Sequence, residues 1–516
     1  MFRSFFTVSF FISLSRILGF IRDILIARYV GVSMVSDAFF AAFRVPNFFR
    51  RIFAEGAFNS AFVPIFINKL HDKSCEKDEK FFLQNIFSIL LYTLFIFVLL
   101  VQIFMPFCMK IIFPGFFSDP EKSSLLVSLS RITIFYLIFI SIVSLFSGVL
   151  NSLNKFAVPA SSPIILNCTL IASIFALGSF VPNYGYALAW GVFLAGVLQF
   201  LFITFFVFKN GYFVYLTFPR INSDIKKFFR KLIPGVIGGN VMQINLLFDS
   251  IFASMIVGAV SYLYYADRIN QLPLAMIGIA INITLLPNLS RKIKENEFKE
   301  ANNLQNFAIE VGLFLVVPAF IAFVVLSNLI ISTLFEGGAF SASETSKVST
   351  ALLFYSFGLP SYVLVKIFEP SFFARGDTKT PMEIAFCCLV CNVVLNYLFF
   401  IYYFHYVGII LSSVISSYLN LGLIIFFLIK KGYFTFNKDF LDRYWSIIAP
   451  SFLMGVFLLL VDYLFLQISF TNKYVILIIS IIVGILSYLL GSYISGSYEI
   501  VKLDKFFKRK RDESID

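Results

Sequence analysis

Apolar runs of about 20 residues recur along almost the whole chain, separated by short polar breaks, and this spacing constrains the fold more than any other feature. A helix needs roughly 20 apolar residues to cross the hydrocarbon of a bilayer, where no water satisfies exposed backbone groups. The breaks predict fourteen spans, with cores at 5–29, 35–67, 82–113, 125–152, 162–181, 186–208, 233–262, 270–290, 304–335, 348–373, 380–403, 406–429, 446–467 and 474–495. In the second, Pro46 and Asn47 predict a broken helix rather than one straight rod. With 516 residues, 59% of them hydrophobic and only 14% charged, no room remains for a large soluble domain. The expected fold class is an all-α polytopic membrane protein of about 14 transmembrane helices, and its function must lie within the membrane.

The net charge of +12 points to topology rather than nucleic acid, because the basic residues are scattered between apolar runs instead of forming a stripe or a nucleic-acid module. With the N-terminus in the cytoplasm, the segments HDKSCEKDEK, NSLNK, FPRINSDIKKFFRK, SRKIKENEFKE, ARGDTKT, KKGYFTFNKDFLDR and the tail, together with Arg3, Lys69 and Lys209, hold 28 of the 41 lysines and arginines. The opposite loops carry only Lys122, Lys347 and Lys473, so both termini are expected in the cytoplasm. Arg3 before an apolar run ending in Ser13-Leu14-Ser15 imitates a secretory signal, but cleavage there would leave half a span carrying Arg16, Arg22 and Asp23. Cys387, Cys388 and Cys391 crowd one expected helix, where small soft core residues are the simpler account than a metal or redox site. His71 and His405 have no metal-ligand neighbour and read as solvated.

A repeat is faintly visible. Gly31 and Pro46 are 15 residues apart, as are Gly258 and Pro273, and Phe146 to Pro159 matches Phe368 to Pro381 at a spacing of 13. The offsets, 227 and 222, are similar, and Asp23 and Asp249 fall at comparable places. Helices 1–6 are therefore expected to recur as 7–12 in the same orientation: an N-lobe over 1–209, a cytoplasmic amphipathic linker over 210–232, a C-lobe over 233–431, an added helix pair over 432–495 and a basic tail over 496–516. Parallel duplicated lobes are a transporter architecture with substrate held near the midplane.

The charges inside the spans are the candidate site. Helix 1 carries Arg16, Arg22, Asp23 and Arg28, and a charge at the centre of a lipid-facing helix costs about 2.5–3.5 kcal/mol. Arg16 and Arg22 lie about 120° apart on the wheel, and Arg16 shares a face with Asp23, so this helix is expected to line a watery cavity. Arg28, near the helix end, either joins that lining or snorkels. Helix 2 and its surroundings add Asp37, Arg44, Arg50, Arg51 and Glu55; Arg51 and Glu55, at i and i+4, read as an ion pair that is either structural glue or part of an orienting set. YYADRINQLP puts Asp267 and Arg268 at the outer end of helix 7 or the start of helix 8. Guanidinium groups suit phosphate, with forked donors and a permanent charge, and arginines outnumber acids here. Asp249, alone in helix 7, is a candidate for a coupling cation, sodium or a proton, or an ion-pair partner for an arginine; no other cofactor is expected. Gly19, Gly31, Gly56 and Pro46 are candidate bends or close-packing points.

The stretch SRILGFIRDILIARYVGVSMVSDAFFAAFRVPNFFRRIFAEGAFNSAFVPIF resembles the N-terminal signature of the MurJ (MviN) lipid II flippases, within the multidrug/oligosaccharidyl-lipid/polysaccharide exporter superfamily. YYADRINQLP, LLPNLS and ARGDTKTP resemble later family landmarks in the same order. The resemblance implies two six-helix lobes around a cationic cavity, with helices 13 and 14 forming a groove for a polyprenyl tail. It also implies a non-enzymatic transporter of the bacterial inner membrane, with lipid II as substrate, membrane lipids around it and peptidoglycan synthesis proteins as candidate partners. Arg16, Arg22, Asp37, Arg50 and Arg268 match positions that the family uses in its cavity and gate. Arg22 and Arg268 would hold pyrophosphate, Asp23 would orient Arg22, and Asp37 would gate, with Arg51 and Glu55 in a gating or orienting role. A flippase for another polyprenyl-linked oligosaccharide would share these features. A drug antiporter would display cavity acids instead, and a membrane enzyme acting on lipid-linked sugars would need an acidic metal motif or a catalytic base that this sequence does not display.

Overall fold

Gly31 ends the first helix with a φ of +64°, and two serines start the second. Ser33 Oγ accepts from the Ser36 N–H at 3.2 Å, and Ser36 Oγ accepts from the Ser33 N–H at 2.8 Å. This reciprocal box satisfies two amides that a helix start leaves bare. The computed structural model describes residues 2–54, 57–71, 78–220, 222–239, 241–402, 405–437, 439–468 and 471–497. Within them the chain is helical almost throughout, without a named strand.

The helices are α1 (Phe2–Val30), α2 (Met34–Ala54), α3 (Ala57–His71), α4 (Asp78–Ile103), α5 (Met105–Ile112), α6 (Pro120–Thr133), α7 (Tyr136–Ser152), α8 (Ala157–Leu177), α9 (Tyr184–Lys209), α10 (Ser223–Gly239), α11 (Val241–Ser254), α12 (Ala259–Pro273), α13 (Ala280–Lys294), α14 (Phe298–Leu334), α15 (Ala342–Phe373), α16 (Lys379–Ile401), α17 (His405–Lys430), α18 (Phe440–Gln467) and α19 (Lys473–Ile494). A 3-10 turn, Pro114–Ser118, precedes α6, and a π turn, Leu274–Ile279, joins α12 to α13. Asp119, Asn183 and Asn472 cap α6, α9 and α19 by accepting first-turn amides.

Among the described residues, eleven helical stretches are long and apolar enough to cross a membrane. They fall at eleven of the fourteen expected spans. The other three places hold α1, the α2–α3 pair and the α10–α11 pair, whose described helices are charged or shorter than a span. Two expectations need correction. The second span comes as two helices, α2 and α3, rather than one rod, but α2 is helical through Pro46, which is therefore not where it divides. Helix 7 does not reach residue 262: α11 stops at Ser254 and α12 begins at Ala259, which puts Asp267 and Arg268 well inside the eighth span rather than at its edge. Gly258, at φ +78°, makes that turn.

The chain divides into two compact units, one of residues 1–261 with 337–341, the other of 262–336 with 342–516. In the first, α8 packs on α1 and α9, α7 on α9, α2 on α6, and α3 on α10. In the second, α15 packs on α14 and α17, α16 on α17, and α18 on both α14 and α19. Polar residues tie helices within each unit. Tyr136 of α7 donates to Gln199 of α9 at 3.1 Å in the first; in the second Asn396 of α16 accepts from Ser412 of α17. Such bonds replace the hydrophobic drive that lipid removes.

The backbone reveals the repeat better than the sequence spacing does. Asn154 and Gly376, 222 residues apart, both adopt left-handed φ after a helix, and the next amide of each reaches back to Leu150 O or Phe372 O. The same closure recurs at Gly211 and Gly432, where Tyr212 N–H bonds Val207 O and Tyr433 N–H bonds Leu428 O. The local sequences are Lys209-Asn210-Gly211-Tyr212-Phe213 and Lys430-Lys431-Gly432-Tyr433-Phe434. After each turn the chain is held by asparagine: Asn85 of α4 accepts from Arg220 N–H at 3.0 Å, and Asn302 and Asn306 of α14 accept from Thr435 and Asn437 N–H at 2.9 and 3.2 Å.

Candidate functional site

Arg22 lies on the packed face of α1 beside Asp23; they are 6% and 2% exposed. Two of its nitrogens, Nε and Nη2, donate to Asp23 Oδ1 at 3.0 and 2.7 Å, and Nη1 donates to Asn167 Oδ1 of α8 at 2.9 Å. Asn167 in turn donates from Nδ2 to Ser15 O of α1 at 2.9 Å. A buried charge needs both a counter-charge and fixed hydrogen bonds, and this arrangement supplies them from two helices. The result is a guanidinium of fixed orientation on α1.

The other expected residues are distributed over both units. Arg16, on the same helix, is exposed. Arg50 is half-buried near the other end of α2, its Nε donating to Asn47 Oδ1 at 2.8 Å. Arg51 donates to Gln243 Oε1 of α11 at 3.3 Å, whereas Glu55, its expected partner, lies outside the described residues, as does Gly56. Asp249 is buried on α11, 8% exposed. Arg268 belongs to the second unit, where it stacks on the Tyr264 ring, 5.0 Å from its centroid, and donates to Tyr264 OH at 3.1 Å. Asp267 accepts from Gln271 one turn on.

Asp37 is near the start of α2, thirteen residues and about 20 Å of helix from Arg50. Its carboxylate caps a different helix: Oδ2 accepts from Gly258 N–H at 2.9 Å, and Oδ1 from Ser261 N–H and Oγ–H at 2.9 and 2.6 Å. An anion at the N-terminus of α12 meets its bare amides and its dipole together. Ser36 Oγ also lies 2.9 Å from Ser261 Oγ. Nearby backbone is packed without room for a side chain: a Cβ on Gly31 would come within 2.1 Å of Ala339 O, while Ala339 N–H bonds Arg28 O at 2.8 Å.

Sequence reasoning missed Asn167 and Ser261. Asn167 had a visible signal, being an amide inside the apolar run of α8, but attention to charge passed over it. Ser261 had none, since its role depends on a partner 224 residues away.

The family model described as lipid II flippase MurJ matches residues 26–480. A probable lipid II flippase MurJ of Rhizobium tropici is 35% identical over 506 residues, covering 96% of this chain and 95% of that protein. One from Rickettsia prowazekii (strain Madrid E) is 38% identical over 424 residues, 82% of this chain and 83% of that protein. Among solved structures, a lipid II flippase MurJ in an inward closed conformation superposes with a TM-score of 0.81 at 29% identity, covering 94% of this chain and 98% of that one. An inward-facing multidrug transporter of the MATE family, in the MOP superfamily, shares the fold, with a TM-score of 0.68 at 14% identity over 81% of this chain and 94% of that one. With the family signature extending through most of its length, this chain is a multi-pass membrane protein that belongs to the MurJ family of lipid II flippases.

Proposed function

We propose that the protein moves lipid II, the undecaprenyl-pyrophosphate-linked disaccharide-pentapeptide, from the cytoplasmic to the periplasmic leaflet of a bacterial inner membrane, for peptidoglycan synthesis. Alternating access through a cationic cavity is the mechanism. The observation that carries this reading is the buried Arg22, oriented by Asp23 and Asn167, in a chain of the flippase family. The forked donors of Arg22, with Arg268, Arg16 and Arg50, hold the pyrophosphate; lobes 1–209 and 233–431 rock about it; the pair over 432–495 guides the tail through lipid. No bond is made or broken. Both termini face the cytoplasm, and wall-synthesis proteins are the partners on either side of the step. Asp37 and its cap on α12 form part of the gate, with Arg51 and Glu55. An anion leaving a negative-inside cell gains about 2.3 kcal/mol per charge per 100 mV, which gives the cycle direction. Asp249 takes a sodium ion or proton in the return step.

The test is replacement of the protein in its host by Arg22→Ala, followed by a leaflet-resolved assay of lipid II. Accumulation in the cytoplasmic leaflet is expected; normal export refutes the site. In vesicles, Asp249→Asn is expected to abolish dependence on a sodium or proton gradient, and an unchanged dependence removes the coupling role.

A further inference from the structure

Lys366 and Glu369 are a charged pair inside the membrane-spanning helix α15, joined at 3.0 Å and still 34% and 20% exposed. α15 is helical through their turn but lacks one backbone hydrogen bond there. Pro370 has no N–H to return to the Lys366 carbonyl, and its ring crowds that oxygen. Asn282 of α13 donates to Lys366 O at 2.7 Å instead, and Gln305 of α14 donates to Ile367 O at 2.8 Å while accepting from Ser371 Oγ at 2.9 Å. The facing segment is irregular. It is the π turn Leu274–Ile279, where a Cβ on Gly278 would lie 3.5 Å from the Lys366 Cβ. π turns and carbonyls freed by proline in membrane helices collect at ligand sites, where unsatisfied backbone lines polar space. An ionised pair in a span costs several kcal/mol to keep, and Asn282 and Gln305 already supply the helix packing at this turn without it.

We infer that Lys366 and Glu369 form a subsite for a peptide bearing both a free carboxylate and a free ammonium, Lys366 receiving the former and Glu369 the latter. The subsite rests on the lipid II reading and assigns to this unit the peptide part of the headgroup, separately from the arginines assigned to pyrophosphate. A pair with both signs discriminates by charge placement rather than by net charge, which arginines alone cannot do.

The experiment uses the full-length protein in neutral phospholipid nanodiscs and two lipids: lipid II with its native pentapeptide, and the same lipid with peptide carboxylates amidated and the side-chain amine acetylated. Lys366→Gln and Glu369→Gln are each expected to weaken binding of the native lipid about tenfold and to leave the blocked lipid unchanged. The exchanged pair, Lys366→Glu with Glu369→Lys, keeps the ion pair and is expected to lose the same tenfold at an unaltered melting temperature. Equal weakening of both lipids by the single variants, no weakening of either, or wild-type affinity in the exchanged pair overturns the subsite. A wild-type protein that binds neither lipid fails the lipid II reading itself, and an Arg22→Ala variant that loses both lipids while the Lys366 variants lose neither leaves that reading standing without the subsite.

Discussion

Asp37→Asn isolates the cap that α2 places on α12. The carboxylate meets three donors with two oxygens: Gly258 N–H on Oδ2, and Ser261 N–H and Oγ–H on Oδ1. An amide offers one oxygen and turns an NH2 toward whichever donors are left, so at least one buried N–H loses its acceptor in either orientation. A hydrogen bond to a charged group contributes about 1.5–3 kcal/mol, and an orphaned buried N–H costs about 1–3 kcal/mol. Loss of roughly 3 kcal/mol follows, on the order of a hundredfold in the opening equilibrium of the α12 start. The assay is hydrogen–deuterium exchange of the full-length protein, read on peptides spanning 255–262 with 263–273 as internal control. The amides of Gly258 and Ser261 are expected to exchange about a hundredfold faster in Asp37→Asn while the body of α12 keeps its protection. Unchanged exchange at these two amides refutes the cap, and equal acceleration across all of α12 shows that the carboxylate supports the helix in some other way.

Two further outcomes are expected. Asn282→Ala orphans the carbonyl that Pro370 releases and costs about 1–3 kcal/mol, but in a Pro370→Ala background most of that cost vanishes, because the restored N–H takes the same oxygen; additive losses in denaturation of the two variants would refute the account of the turn. In the loop between α15 and α16, burial pushes the Asp377 carboxyl up, yet Lys431 Nζ at 2.6 Å and the Thr380 N–H and Oγ–H bring it below its ordinary value. A folded value below the unfolded one contributes stability above about pH 4 that is lost as the pH falls through the depressed value, so Asp377→Asn should flatten the acid limb of a melting-temperature profile between pH 7 and 3, and identical limbs would refute the clasp.

The membrane architecture was legible because hydropathy acts through length, and length survives in the sequence whatever the packing. The boundaries that failed did so for local reasons. Residues 255–262 read as the end of an apolar run, and only the φ of Gly258 and the amides that Asp37 takes up show that the chain turns there and restarts. Pro46 read as a break, but Thr133 Oγ–H of α6 bonds at 3.1 Å the Ala42 carbonyl that the proline frees, and α2 stays helical through it. The repeat was legible from a glycine–proline and a phenylalanine–proline spacing, while the stronger signal, Lys-x-Gly-Tyr-Phe after the sixth and twelfth spans, sat in the breaks between spans.

The same selection explains which part of the site could be read. Arg22 with Asp23, Asp37 with Arg50, and Asp249 each interrupt with charge a stretch that otherwise reads as an apolar span. A charge is costly against lipid, so one inside a span marks a helix that carries polar chemistry. Charge therefore marked Arg22 but could not mark Asn167, which fixes the same guanidinium and is silent in any charge-based search. Nor could it rank Lys366 and Glu369, whose surrounding run is apolar enough to pass as an ordinary span. Their turn stands out only when Pro370, Asn282 and the π turn are seen together, because each is unremarkable alone and the freed carbonyl belongs to none of them in sequence.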